Sequence, residues 1–509
     1  MKYPTSTRGL AIQACCALAL AAPLAGTSSV WAGTLVVTSL NDNGPGSLRE
    51  AIACAGPGDT IQFSVKGTIT LTSGALMVFQ DLTIEGPGPK QLKISGNQAD
   101  RVFVVAGGVV TISGVAIRDG LADGSSPILP SAGGGILNLA SLTLVKAVVS
   151  DNQALGDPNQ SPLGLVGLGQ GGGVANFGAL AARDSAFTGN LARGGDGSSG
   201  PFAPGDGGGG GLVNWGVVQV SGSQFTDNVC QGGSGSSGFF AGCVFGGAIG
   251  NFGILSVATS TFSRNQALAG HDNTGDNSGF AFSGAIHTEI FAGPASLELS
   301  DSRFDHNQAI GGDGNSGLFS GSAMGGALHF NNAPGTITGC ALDHNLALGG
   351  AGLPGAEGGW GNGGGIQLEG VSVVTVRDCV LEHNTARGGS GGRGGNGGPG
   401  LGGGLTSGDG ATLTVRNTAV AHNRALGGNG RAGGIGGGGW GGGLMNLLAT
   451  LDLEGATVTH NLAVGGGPGG EGIGGGVNNY LGFFTFDGST VIAKNQATTR
   501  GDNVEDVAP

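Results

Sequence analysis

The feature that most constrains this chain is an asparagine that returns ten times at a near-constant interval between residues 152 and 495. It stands in the pattern apolar-x-x-Asn-x-Ala, and the successive intervals are 38, 38, 37, 42, 38, 39, 39, 38 and 34 residues. The ten residues are Asn152, Asn190, Asn228, Asn265, Asn307, Asn345, Asn384, Asn423, Asn461 and Asn495. A fixed period of this length indicates a solenoid or array whose units pack only on their neighbours. We therefore expect one elongated body.

Within each repeat the apolar residues alternate with period two, which is a strand signal. One apolar column lies three positions before the asparagine: Val149, Phe187, Phe225, Phe262, Phe304, Leu342, Leu381, Val420, Val458 and Ile492. A pair such as Leu142 and Leu144 lies ten and eight positions before it. These runs and the glycine-rich opening predict three short strands per unit, stacked as a parallel β-helix. The asparagines should then form a hydrogen-bonded ladder. A β-propeller is the competing architecture, but it needs four strands per blade.

The rest of each repeat is a glycine-rich insertion. From the residue two positions after the asparagine to the next glycine opening, eight of nine offsets are 16 or 17 residues. Loose surface loops tolerate length changes cheaply, so a constant length predicts ordered, stacked insertions rather than flexible linkers. We expect Gly391 and Gly394 to be packed against the neighbouring insertion.

The start of the chain is built differently and divides into two parts. Residues 1–32 read as a secretory signal peptide with an apolar stretch, removed after Ala32. Residues 33–120 lack the long insertions and contain six β-prone runs. Between the first two runs, Ser47 and Glu50 have the spacing of a capping box, which predicts a short helix covering the open end of the first coil. Residues 121–497 hold the ten repeats, and 498–509 form a C-terminal tail.

Composition limits the partners. The net charge is −13 without a basic stripe, which argues against nucleic acid. No run after the signal reaches the roughly 18 apolar residues of a membrane span. We expect a secreted or cell-surface protein whose partner is an extracellular glycan or a neighbouring cell surface, with self-association open.

Five cysteines follow the predicted cleavage site. Cys230 and Cys243 flank one insertion and could close it as a disulfide in an oxidising compartment. Cys340 and Cys379 occupy the same position in adjacent repeats, five before the asparagine, where other units have small residues. A column of small buried residues is therefore favoured over a bridge there, and Cys54 is left unpaired.

Two segments carry a family resemblance. Gly246-Gly247-Ala248-Ile249 and Phe225-Thr226-Asp227-Asn228 resemble the GGAI and FxxN repeats of polymorphic outer-membrane proteins. The segment from Leu40 to Ile52 is similar to the CSLREA segment of exported bacterial β-helix proteins, with Gly46 where that motif has cysteine. The resemblance implies an all-β, right-handed parallel β-helix solenoid and a role in adhesion.

Candidate chemistry is sparse. The Asp and Glu residues are scattered singly, and Arg118-Asp119 reads as a surface ion pair. The sharpest polar feature is the histidine strip, one residue before the asparagine in five successive repeats: His306, His344, His383, His422 and His460. Stacked imidazoles could share a metal ion, but an exposed ladder without a ligand is the simpler interpretation.

These observations predict a non-enzymatic exported β-helix with an adhesive or structural role. The alternative is a polysaccharide lyase or glycoside hydrolase, because pectate-lyase-like enzymes use the same fold and fold does not fix function. No catalytic, cofactor-binding or metal-binding residue is assigned from the sequence.

Overall fold

The computed structural model describes residues 32–125, 128–161, 164–317, 319 and 321–508. These residues form an all-β parallel β-helix built from five sheets, here called A to E, whose neighbouring strands pair in parallel. Each full coil passes through sheets C, A, B and D in chain order, and an insertion then leads through sheet E to the next coil. Residues 1–31 of the predicted signal peptide lie outside the described residues.

The strands of each sheet stack in chain order. Sheet A contains fourteen strands: Thr34–Val37, Asp59–Phe63, Leu82–Glu85, Val109–Ser113, Ser141–Val145, Ala179–Arg183, Val217–Ser221, Ile254–Ala258, Ser296–Ser300, Gly335–Thr338, Val373–Arg377, Thr412–Arg416, Thr450–Glu454 and Phe483–Phe486. Sheet B contains thirteen: Gly67–Thr70, Leu92–Ser95, Ala116–Arg118, Val148–Ser150, Ala186–Thr188, Gln224–Thr226, Thr261–Ser263, Arg303–Asp305, Ala341–Asp343, Val380–Glu382, Ala419–Ala421, Thr457–Thr459 and Val491–Ala493.

Sheet C contains thirteen strands: Leu76–Val78, Phe103–Val105, Ile136–Asn138, Val174–Asn176, Leu212–Asn214, Ile249–Asn251, Ile286–Glu289, Leu328–Asn331, Ile366–Glu369, Leu405–Gly408, Leu444–Leu447, Val477–Tyr480 and Val504–Val507. Sheet D contains eleven: Leu121–Ala122, Gln153–Leu155, Leu191–Arg193, Val229–Gln231, Gln266–Leu268, Gln308–Ile310, Leu346–Leu348, Thr385–Arg387, Arg424–Leu426, Leu462–Val464 and Gln496–Ala497. Sheet E contains nine: Gly169–Gln170, Gly207–Gly208, Val244–Phe245, Ala281–Phe282, Ala323–Met324, Gly361–Asn362, Gly400–Leu401, Gly439–Trp440 and Gly472–Ile473.

The coil therefore has four strands, and the prediction of three was wrong. The strand that was missed belongs to sheet D and carries the residue two positions after the asparagine, such as Ala154. It is only three residues long, too short for an alternating pattern to reveal it. A four-strand unit would also fit a propeller blade, but parallel pairing from one coil to the next excludes that arrangement.

Columns that repeat in the sequence become stacks in the core. Phe187, Phe225, Phe262 and Phe304 are fully buried, and their rings stack with centroid separations of 4.4, 4.8 and 4.7 Å. The ten asparagines form the predicted ladder, in which each Nδ2 donates to the Oδ1 of the next residue at 2.9–3.0 Å. The ladder satisfies polar groups that would be costly to bury unpaired.

The predicted N-terminal cap is present. A helix spans Leu48–Cys54, and the Ser47 hydroxyl accepts a hydrogen bond from the Glu50 backbone N–H at 3.2 Å. Glu50 Oε2 accepts in return from the Gly46 N–H at 2.6 Å. Leu48, Ala51 and Ile52 are buried, so the apolar face of the helix covers the end of the core.

The cysteines differ in part from prediction. All five that the structure describes are free thiols, so the bridge between Cys230 and Cys243 considered above is not formed. Both side chains are fully buried among apolar neighbours, and burial raises the pKa of the Cys230 thiol to about 12. Cys340 and Cys379 are buried in the column of small residues, as predicted.

The insertions are ordered and stacked, as their constant length predicted. Besides the strands of sheet E, parallel bridges join Ser199 to Ser237, Ser237 to Thr274, and Arg393 to Arg431. The prediction that Gly391 and Gly394 pack against the neighbouring insertion was wrong for both glycines. A Cβ on Gly391 would overlap carbonyl oxygens of its own insertion, whereas Gly394 faces open space with a φ of +83°.

Gly392→Ala tests this packing, because a Cβ there would overlap the Leu353 carbonyl of the preceding insertion. We expect the free energy of unfolding to fall by about 1–3 kcal/mol, the usual cost of overpacking. Gly293→Ala is the matched control, since nothing lies within 4 Å of its added methyl group. Denaturant unfolding measures both variants, and equal stabilities would show that the insertions are not packed.

Candidate active site

An open groove of about 470 Å³ runs along the outside of the solenoid. Its floor is the outer face of sheet C, and its wall is made by sheet E and the insertions. In the coils that line the groove, the last residue of the sheet C strand, or the first residue after it where the strand is one residue shorter, points into it. Along the stack these positions include Trp215, Phe252, Glu289, Asn331 and Glu369. The groove thus has an aromatic section followed by a section with two carboxylates.

The aromatic section is built from rings on both sides of the groove. Trp215 stacks on Phe252 with ring centroids 4.4 Å apart and an interplanar angle of 17°. On the wall, Phe245 stacks on Phe282 at 5.2 Å. Phe291 and Phe202 are each nearly half exposed at the rim. Exposed ring faces of this kind bind the apolar faces of ligands that also carry polar groups.

In the second section, four side chains from neighbouring coils form a chain of close contacts. Glu289 Oε2 lies 3.2 Å from His287 Nε2, and His287 Nδ1 lies 2.9 Å from His329 Nδ1. His329 Nε2 lies 3.2 Å from Glu369 Oε1, although this last contact is not aligned as a hydrogen bond. The imidazoles are 1% and 0% exposed, whereas the carboxylates at the two ends are 17% and 21% exposed to the groove.

The register of sheet C explains this chain. His287 pairs with His329, Glu289 pairs with Asn331, and Asn331 pairs with Glu369. The rings of the two histidines stack with centroids 5.0 Å apart. Asn331 Nδ2 donates to Glu289 Oε1 at 3.0 Å, which fixes the orientation of that carboxyl group. The two glutamates lie two coils apart, about 9.6 Å along the stack.

Protons can be placed along this chain in two opposite directions. A neutral imidazole has one N–H and one acceptor nitrogen, and burial disfavours charge on the His287 ring. In one arrangement Glu289 O–H donates to His287, His287 Nδ1–H donates to His329, and His329 Nε2–H faces Glu369 Oε1. Reversing the three protons reverses the roles of the glutamates. One carboxyl group is therefore an acid while the other is a base.

The local electrostatics agree with this assignment. Burial lowers the pKa of His287 well below its usual range, and His329 adds to the shift. Burial raises the pKa of Glu289 to about 7, a rise that His329 opposes and Glu369 reinforces. A carboxyl group with a pKa near neutrality, beside an imidazole and facing a cleft, is typical of a general acid.

The remaining polar groups of the groove include a buried acid and two buried amide oxygens. Asp206 is fully buried, accepts a hydrogen bond from the Cys243 N–H at 2.8 Å, and has a pKa raised well above its usual range by burial. The buried oxygens Asn362 Oδ1 and Gln367 Oε1 have no hydrogen-bond partner. Among the lining residues that the structure describes, none is Lys or Arg.

Sequence reasoning missed this site. His287 and His329 lie outside the histidine strip, and the repeat asparagine gives no sign that they meet. A signal was present in the third residue of the sheet C strands. In most repeats this third residue is an asparagine, and these asparagines form a second ladder: Asn138, Asn176, Asn214, Asn251 and Asn446. Four successive coils interrupt the ladder with Thr288, Phe330, Leu368 and Ser407. The interruption marks the coils that carry the carboxylates.

The residues singled out in the sequence lie elsewhere. Arg118 and Asp119 form a partly exposed ion pair at 2.9 Å, as predicted. The histidine strip lies at the bend after sheet B and is exposed, with side-chain exposures of 56%, 48% and 44% for His306, His344 and His383. Its rings stack with centroid separations of 4.7–5.3 Å.

Comparisons with known proteins identify no family. No family model matches the chain, and no curated protein does. Two solved structures are similar in outline. A mannuronic acid specific polysaccharide family 6 lyase from human gut microbiota has 9% identity and a TM-score of 0.32, over 83% of this chain and 86% of that one. The A-module of the Azotobacter vinelandii mannuronan C-5 epimerase AlgE4 has 12% identity and a TM-score of 0.32, over 91% and 92%.

Within the described residues, no helix has the length and apolar character needed to cross a membrane.

Proposed function

We propose that the groove binds an extended polysaccharide and that Glu289 and Glu369 hydrolyse it by general acid–base catalysis. The observation that supports this proposal most is the carboxyl–imidazole–imidazole–carboxyl chain at the floor of an aromatic groove. This is the enzymatic alternative from the sequence analysis. The adhesive or structural role stays a prediction.

The proposed hydrolysis breaks the glycosidic bond with one proton donor, one water molecule and one proton acceptor. Glu289 gives its proton to the glycosidic oxygen as the bond from that oxygen to the anomeric carbon breaks. A water molecule attacks the anomeric carbon, and its proton passes to the ionised Glu369. The backbones of the two glutamates lie about 9.6 Å apart along the stack, and the mechanism needs a water molecule between the two carboxyl groups. Glu369 then releases this proton to water in the groove, and Glu289 takes one up from water, since both carboxyl groups are partly exposed there.

The groove also limits the substrate class. Its titratable lining residues are Asp206, Glu289, Glu369 and Asp409, and no lining residue that the structure describes is Lys or Arg. A polyuronate would place its carboxylates in this groove without a Lys or Arg partner among the described lining residues, which disfavours its binding. The unpaired oxygens of Asn362 and Gln367 can accept hydrogen bonds from sugar hydroxyl or amino groups. We therefore propose a neutral or amino-substituted glycan. Because residues 1–32 are predicted to be a secretory signal peptide, we further propose that this glycan is extracellular.

A panel of neutral, amino-substituted and uronate polysaccharides tests the proposal, with binding and cleavage scored separately. The result expected is binding and cleavage of a neutral or amino-substituted glycan, with uronates bound more weakly. Binding without cleavage would support the adhesive role instead. Cleavage of uronates alone, with and without added calcium, would contradict the substrate assignment.

A further inference from the structure

A second site lies on the histidine strip, on a different face from the groove. Five imidazoles stack there in consecutive coils, but only some are accompanied by a carboxylate. Asp305 precedes His306 and Asp343 precedes His344, whereas Ala421 and Thr459 precede His422 and His460. The strip therefore contains stacked rings with carboxylates at one end and without them at the other.

At the carboxylate end, one oxygen faces two rings. Asp343 Oδ1 lies 2.8 Å from His344 Nδ1 and 3.2 Å from His383 Nδ1. The other oxygen, Oδ2, lies 3.4 Å from Arg303 Nη2, so the carboxylate is held with Oδ1 toward the imidazoles. The three ligand atoms lie within 4.8 Å of one another.

The fold does not require histidine at this bend. His306, His344, His383, His422 and His460 all have positive φ angles of 54–57°, a conformation that Gly adopts readily and in which Asn, Asp and His are enriched among the other residues. Other coils place Asp151, Gly189, Arg264 or Lys494 at the same bend with φ of 54–64°. The bend thus accepts several residue types, so its backbone conformation alone does not explain five imidazoles in succession.

We infer that Asp343, His344 and His383 bind a divalent transition-metal ion. Imidazole nitrogens and a carboxylate oxygen are the ligands that Zn²⁺, Ni²⁺ and Cu²⁺ prefer. The side chains are 27–48% exposed, so the rings can reorient and solvent can complete the coordination sphere. Arg303 acts as the outer partner that orients the ligating carboxylate. Asp305, His306 and His344 form an overlapping set that shares His344, so we expect one ion per chain.

The test is a Zn²⁺ titration by calorimetry on the full mature chain, made without an affinity tag and with Cys54→Ser, since Cys54 is an exposed thiol. We expect one saturable site. His344→Gln and Asp343→Asn should each weaken binding at least about tenfold, as expected when a ligand is lost.

His460→Gln is the matched control, because His460 has the same stacking and the same positive φ but no carboxylate before it. Its Zn²⁺ affinity should equal that of the parent protein, and all variants should keep the parent melting temperature. The inference is overturned if the parent protein shows no saturable site, if His344→Gln binds like the parent, or if His460→Gln loses binding to the same extent.

Discussion

Replacing Glu289 with Gln is expected to lower the rate of glycan cleavage by about 10²–10⁴-fold while leaving glycan binding unchanged, because the amide cannot supply the proton for the leaving oxygen. The amide oxygen can still accept the hydrogen bond from Asn331, so the fold of the site should persist. Glu298→Gln is the control. Glu298 lies in the same coil on the exposed face of sheet A, so its replacement should leave the rate of glycan cleavage unchanged.

The same carboxyl group predicts the pH profile. The pKa of Glu289 is raised to about 7, so its proton is present below that pH and is lost as the pH rises through it. Cleavage by the parent protein should therefore decline above about pH 7. A rate that stays constant between pH 6 and 9, or a Glu289→Gln variant as active as the parent, would remove Glu289 from the mechanism.

The second large effect concerns stability: Phe262→Ala should reduce the free energy of unfolding by about 3–5 kcal/mol. Phe262 is fully buried and stacks between Phe225 and Phe304 at 4.8 and 4.7 Å, so its loss leaves a cavity on both sides. Phe79→Ala is the control, since that ring is 67% exposed and should change stability by less than about 0.5 kcal/mol.

Chemical denaturation of the two variants measures this difference. A repeat array can unfold in more than one step, so hydrogen exchange at Phe225 and Phe304 should be followed as well. Faster exchange at both neighbours is expected for Phe262→Ala. If Phe262→Ala and Phe79→Ala unfold alike, the aromatic column does not hold the coils together.

The fold was largely predictable from the sequence because its determinants recur. An asparagine ladder and an inward column such as Phe225 to Phe304 repeat in successive coils, so a weak local pattern becomes a strong one. The capping helix was predictable for a different reason, because the capping box of Ser47 and Glu50 is a signal in the local sequence. The strands of sheet D were missed because two or three residues do not show an alternation.

The candidate active site was not predictable in the same way. Glu289 and Glu369 are 80 positions apart in the sequence, and their relation depends on the register of three coils and on the wall formed by the insertions. Nothing in the sequence fixes which outward positions the insertions cover. A functional residue in a repeat array appears only as an exception to the pattern in one coil. Here the exceptions were Thr288 and Phe330, which interrupt the second asparagine ladder beside the candidate site.

The most direct measurement is the mass of the products formed when the glycan selected from the panel is cleaved in ¹⁸O-labelled water. Hydrolysis at Glu289 and Glu369 predicts one ¹⁸O atom at each new reducing end, and formation of this product about 10²–10⁴-fold more slowly by Glu289→Gln. Unlabelled, unsaturated products would instead show elimination. Those products, or labelled products formed equally by Glu289→Gln, would contradict the account.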